Sequence, residues 1–232
     1  MRALLPELFR RSDPVSILVV GGGDGLLLRE LLKISPPSAE IDLVDLDGQW
    51  LELAKKDPRL TVLNDAALTD PRVTLHVADP VAFARNSKKK YELVHLDFPL
   101  PYSHDLARMS SVEFFDFLNR LLLPDGILEF VLPITDEGEG EDWEPYYGRI
   151  GNVLRESGFS RAFSAEDPEL SGLFVIAGPE SLEVLPFRPE EPALSSIKIE
   201  EFSTAAKEGA PDKVNSLFRP VTLNRSGGLQ PF

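Results

Sequence analysis

A mostly apolar run, VHL at 94–96, ends on Asp97 and leaves through two prolines, giving VHLDFPLP. A lone carboxylate at the tip of a buried strand is a candidate for chemistry there, and what it does depends on what the rest of the chain builds around it. A second group, Gly21-Gly22-Gly23-Asp24-Gly25, lies between the runs ILVV and LLLRELLK. Glycines at a strand-to-helix turn let the backbone approach a ligand and aim helix N–H groups at it. An acid about 20 residues further on, at the end of a second strand, is placed to accept the hydroxyl hydrogens of a ribose. That acid is Asp45 in LVDLD, and Asp79, ending RVTLHVAD, is placed to accept from an adenine amino group.

Each acid alone has a plainer use: Asp24 as a helix cap, Asp79 as the cap of a helix over 81–86, and Asp47 as a solvated residue. Their recurrence at the carboxyl ends of consecutive strands is harder to reach by chance, and that edge is where open α/β sheets bind ligands. The G-x-G-x-G spacing favours an adenosyl sulfonium over a dinucleotide, and no second nucleotide half-site is present. A sulfonium is a cation, suited to an acid-lined crevice.

The elements that must hold these residues alternate along the chain. Strands are predicted over 16–20, 41–45, 73–77, 93–97, 127–132, 160–163 and 173–177, and helices over 26–33, 49–56, 81–86, 112–122 and 146–157. Strand–helix alternation predicts an α/β protein with a mostly parallel, seven-stranded sheet covered on both faces. ILVV and the run at 92–96 are apolar enough for central strands, and the last two strands read as an antiparallel closing hairpin. The nucleoside-binding domain is placed at 1–178. Residues 179–232, rich in proline and charge, are expected to form an extended tail that wraps the domain or is partly mobile.

Of 232 residues, 38 are Asp or Glu and 24 Lys or Arg, for a net charge of −14. Nucleic acid is an unlikely fit for such a surface, and a small cationic substrate would be attracted to it. The acidity also has a plainer use in solubility. The chain has no cysteine, which excludes disulfides, thiolate metal sites and a cysteine nucleophile, and its three histidines are too scattered to predict a metal site. No apolar run approaches the ~18 residues of a bilayer span. With no cleavage-site pattern at the start, a cytoplasmic protein without membrane contact is expected.

VVGGGDG, LVDLD, LNDAALTDPRVTLHVAD, YELVHLDFPLP and LLLPDGIL, in that order, resemble the spermidine synthases, the polyamine aminopropyltransferases, and among them a branch whose fourth-strand motif reads D-L-P-D-P. The resemblance implies a class I methyltransferase-like (Rossmann-like) sheet. It also implies transfer of an aminopropyl group from decarboxylated S-adenosylmethionine to an amine such as putrescine, releasing methylthioadenosine. On that basis Gly21, Gly23 and Gly25 shape the cofactor loop, Asp24 holds the aminopropyl ammonium, Asp45 the ribose diol and Asp79 the adenine. Asp97 falls where the family has its proton acceptor. No metal is implied, and a homodimer is the assembly the family often forms.

Three departures fall on the acceptor side. Leu100 stands where the family's second acid anchors the diamine, which removes a charged hydrogen bond of roughly 1.5–3 kcal/mol. The family's N-terminal hairpin, a source of lid contacts, is not expected in the short stretch before the glycine strand. After the fifth strand, VLPITDEGEGEDW lacks the P-T-Y-P pattern. Two further readings therefore stand beside aminopropyl transfer: a cofactor-binding relative that has lost diamine transfer, and a methyltransferase using ordinary S-adenosylmethionine.

Other residues are assigned structural work. Tyr102, His104 and Asp105 are expected in a surface loop sooner than in contact with a substrate, 110–113 is expected to hold a helix N-cap, and Trp143, Tyr146 and Tyr147 are expected to pack a helix sooner than to line a pocket. His95 is expected to be a satisfied sheet residue, 88–90 a solvated lysine turn, and 135–142 an acidic surface loop.

Overall fold

A computed structural model of the chain describes residues 9, 13–98, 101–132, 144–166, 172–185, 197–202, 221–223 and 229–231. The first strand, β1 (Ser16–Gly21), is followed by α1 (Leu26–Ile34), β2 (Glu40–Asp45), α2 (Gly48–Lys56), α3 (Pro58–Leu63), β3 (Val73–Val77), α4 (Pro80–Asn86) and β4 (Tyr91–Asp97). Then come α5 (His104–Arg108), α6 (Val112–Leu121), β5 (Leu122–Leu132), α7 (Glu144–Glu156), β6 (Arg161–Glu166) and β7 (Leu173–Gly178). Short strands β8 (Lys198–Glu201), β9 (Val221–Leu223) and β10 (Leu229–Pro231) close the order.

The sheet runs β3-β2-β1-β4-β5-β7-β6-β8. β1 to β5 are parallel, while β7, β6 and β8 pair antiparallel. Chain order reverses between β1 and β4, which leaves a crevice at their carboxyl ends. Each central strand feeds two cores because successive side chains face opposite ways. Leu18 and Val20 join a core with Phe114, Phe115 and Leu118 of α6 and Ile150 and Val153 of α7. Ile17 and Val19 join the core on the other face, with Leu27, Leu28 and Leu31 of α1 and Leu51 of α2. A fully buried Leu or Phe contributes about 1.5–3 kcal/mol, so these stripes hold the strand ends in place.

Among the described residues the sheet has eight strands where seven are expected. The eighth, β8, comes from the segment expected to be an extended tail: Ile199 pairs with Ala165 of β6, and Phe202 is buried against the core. Its alternation is too short to stand out, and the exposed edge of β6 selects it. The predicted loop at 102–105 is also corrected, because His104 opens the short helix α5, capped by Ser103. Ser111 caps α6 through a bond from the Phe114 amide at 3.2 Å, in the window expected for a cap. Lys89 is not simply solvated: it pairs with Asp42 at 2.8 Å and Glu40 at 3.0 Å. Leu100, Trp143 and the segment 135–142 lie outside the described residues. Among the described residues no helix is long and apolar enough to cross a membrane.

Candidate active site

The glycine turn closes directly onto the end of β4. Gly21 has φ +83° and Gly22 φ +69°, a left-handed conformation that glycine adopts freely. The Gly22 amide donates to the Asp97 carbonyl at 3.0 Å. A Cβ on Gly21 would lie 2.2 Å from that carbonyl oxygen, and one on Gly23 2.6 Å from Asp45 Oδ2. Gly21 needs glycine because the backbone end of β4 crowds the turn, whereas at Gly23 a side chain would have to displace the Asp45 carboxylate.

Asp45, at the end of β2, accepts from the Gly23 amide at 3.1 Å and from the Asp47 amide at 2.9 Å. Asp24 is not the cap of α1: the N-cap is Gly25, without a side-chain capping bond, and Asp24 accepts from the Leu26 amide at 2.9 Å from one position outside it. Asn64 supports this corner by donating to the carbonyls of Asp24 and Ala54. Asp79 does cap α4, accepting from Ala82 N at 2.8 Å, while its other oxygen accepts from Arg108 Nη1 of α5 at 3.1 Å. Capping and lining the crevice are compatible here, because a strand end and the next helix start share the same edge. Asp47 caps α2 through the Gln49 and Trp50 amides instead of standing free in solvent.

Asp24, Asp45, Asp79 and Asp97 come from four separate strand–helix junctions and line one cleft of about 790 Å³, within the ~300–1,000 Å³ usual for small-molecule sites. Gly25 stands just behind, packed against Asn64 and Leu68. Leu46 and Trp50 form an apolar wall beside Asp45; Arg108 and Met109 close the side facing Asp79. Sequence reasoning missed these four. Leu46 had a signal in lying within LVDLD and Trp50 in following it by three residues, whereas Arg108 reaches the cleft only because α5 folds back over it.

The chain belongs to the spermine/spermidine synthase family. The family's model, described as the spermine/spermidine synthase domain, matches residues 5–132. A polyamine aminopropyltransferase of Bacillus anthracis is 34% identical over 155 residues, 67% of this chain and 41% of that protein. One from Streptomyces coelicolor is 42% identical over 171 residues, 72% of this chain and 31% of that protein. The chain thus spans less than half the length of these curated relatives.

Among solved structures, a spermidine synthase in complex with the transition state analogue AdoDATO aligns with a TM-score of 0.61 at 20% identity, over 89% of this chain and 69% of that one. Human methyltransferase-like protein 13 in complex with SAH aligns at 0.55 and 21% identity, over 79% of this chain and 81% of that one. These likenesses establish the class I methyltransferase-like fold.

Proposed function

We propose that this cleft transfers an aminopropyl group from decarboxylated S-adenosylmethionine to a small amine, in a cytoplasmic protein. The observation that carries the reading is the convergence of Asp24, Asp45, Asp79 and Asp97 on a nucleoside-sized cleft beside a glycine turn, with Asp105 of α5 as a fifth acid in its lining. Family membership and the two curated relatives described above, both named polyamine aminopropyltransferases, support it. Asp45 would take the ribose hydroxyls, Asp79 the adenine amino group, and Asp24 the aminopropyl ammonium. Asp24 also disfavours the carboxylated donor, because a second carboxylate would meet a like charge.

Asp97 would accept the proton that frees the amine's lone pair. The nitrogen then attacks the carbon next to sulfur. As the C–N bond forms, the C–S bond breaks and its electron pair returns to sulfur, so the positive charge is discharged and methylthioadenosine leaves. Calorimetry with decarboxylated and ordinary S-adenosylmethionine, followed by an assay for methylthioadenosine release on adding an amine, tests the reading. Preference for the decarboxylated donor with release is expected. Preference for the ordinary donor would replace the reading with methyl transfer, and binding without release from any amine would leave a nucleoside-binding relative, the outcome that Leu100 favours.

A further inference from the structure

Arg108, the last residue of α5, is the one Lys or Arg among the described residues that line the cleft, where the acids are Asp24, Asp45, Asp79, Asp97 and Asp105. Its place among them is specific. Arg108 Nη1 donates at 3.1 Å to Oδ2 of Asp79, the acid assigned to the adenine amino group, and the two side chains are 31% and 33% exposed. The base end of the cleft therefore presents an ion pair of no net charge, which suits a neutral purine. The sulfonium and the aminopropyl ammonium belong beside the remaining acids.

The pair also presents a hydrogen-bonding pattern. Asp79 Oδ1 accepts from the Ala82 amide at 2.8 Å and Oδ2 from Arg108. A carboxylate oxygen can accept two hydrogen bonds, so Oδ2 keeps a place for the adenine amino group. A guanidinium carries five N–H donors in a rigid fork, and among the described residues the Arg108 side chain makes that one hydrogen bond. An acceptor and a donor thus stand side by side on the wall. Adenine offers the complement: its amino group donates, and the ring nitrogens flanking it, N1 and N7, accept. Backbone donors are scarce here, since Pro80, next in the lining, has no N–H and the Ala82 amide is taken by Asp79.

We propose that Arg108 is a second reader of the base, donating to an adenine ring nitrogen beside the amino group that Asp79 accepts. The inference rests on the nucleoside reading of the cleft and adds a specificity-determining residue to it.

The test is calorimetry on the full chain with methylthioadenosine and its 1-deaza and 7-deaza analogues, in which CH replaces one ring nitrogen. No binding of methylthioadenosine would overturn the nucleoside reading and this inference with it. The wild type is expected to bind one of the two analogues at least about tenfold more weakly than the parent, the loss of one charged hydrogen bond. Arg108→Met is expected to bring that analogue within about threefold of the parent, and Arg108→Lys to keep part of the difference. A wild type that binds both analogues as tightly as methylthioadenosine overturns the inference alone, whether or not the variants fold. So does a penalty that survives Arg108→Met, which assigns the ring nitrogen to a backbone donor such as the Val81 amide. An Arg108 that only holds α5 in place would weaken all three nucleosides together and leave their ratios unmoved, and that result also overturns it.

Discussion

The Gly22 amide and the Asp97 carbonyl are joined by a hydrogen bond of 3.0 Å, which ties the glycine turn after β1 to the end of β4 across the point where the sheet's order reverses. The glycine turn and the strand end that carries the proposed base are therefore tied together. Gly21→Ala should break it: the new Cβ would sit at φ +83° and 2.2 Å from the Asp97 oxygen. Strain and overpacking together should destabilise by about 3 kcal/mol. Chemical denaturation and methylthioadenosine calorimetry would show both losses, and an unchanged midpoint would refute the crowding argument.

Asp45 and Asp97 should separate binding from chemistry. Asp45→Ala removes an acceptor of charged hydrogen bonds worth about 1.5–3 kcal/mol, so nucleoside affinity should fall roughly 10- to 100-fold. Asp97→Asn should leave that affinity within about threefold and abolish methylthioadenosine release. Equal effects of both changes on binding would contradict the assigned roles.

Asp79 should read the base. A hypoxanthine carbonyl in place of the adenine amino group would face a carboxylate, so methylthioinosine should bind at least about tenfold more weakly than methylthioadenosine. Asp79→Ala should largely erase that difference and, by removing the α4 cap, cost about 1 kcal/mol of stability. A preference that survives the substitution would move the adenine elsewhere in the cleft.

Asp42 should set an acid limb of stability. It is buried in β2, where His76 Nε2 lies at 2.6 Å, Lys89 Nζ at 2.8 Å and the Tyr91 hydroxyl at 3.1 Å. Burial raises its pKa, but bonds from Lys89, His76 and Tyr91 outweigh that and hold it below the ordinary value. A depressed folded pKa means the contribution is present above the unfolded value, about 3.9, and is lost as pH falls through the folded one. Asp42→Asn should therefore destabilise by about 2 kcal/mol near pH 7, with the gap narrowing below about pH 4. A gap constant down to acid pH would show that the charge contributes nothing.

His95 and Glu129 face each other across β4 and β5, both fully buried, Nδ1 against Oε2. Breaking such a pair from one side costs about 3–5 kcal/mol, whereas replacing both partners with aliphatic residues is often neutral. His95→Leu and Glu129→Leu should each be strongly destabilising, and the double variant close to wild type. Additive losses in denaturation would show that the two side chains do not act together.

Much of this molecule is legible locally. The glycine turn, the acids ending β2, β3 and β4, and the stripes of α1 and α6 follow from periodicity and short-range turn chemistry, which depend only on near neighbours. Even the Ser111 cap sits inside its expected window. Other features depend on what distant segments bring. β8 pairs because β6 leaves an open edge, and its four residues would not specify a strand alone. Arg108 meets Asp79 only after α5 folds over the cleft, across 29 positions of chain. A 3.6-residue period gives a side chain's direction but not what lies there, so the burial of Arg149 is decided only when α7 packs against α6 and the sheet.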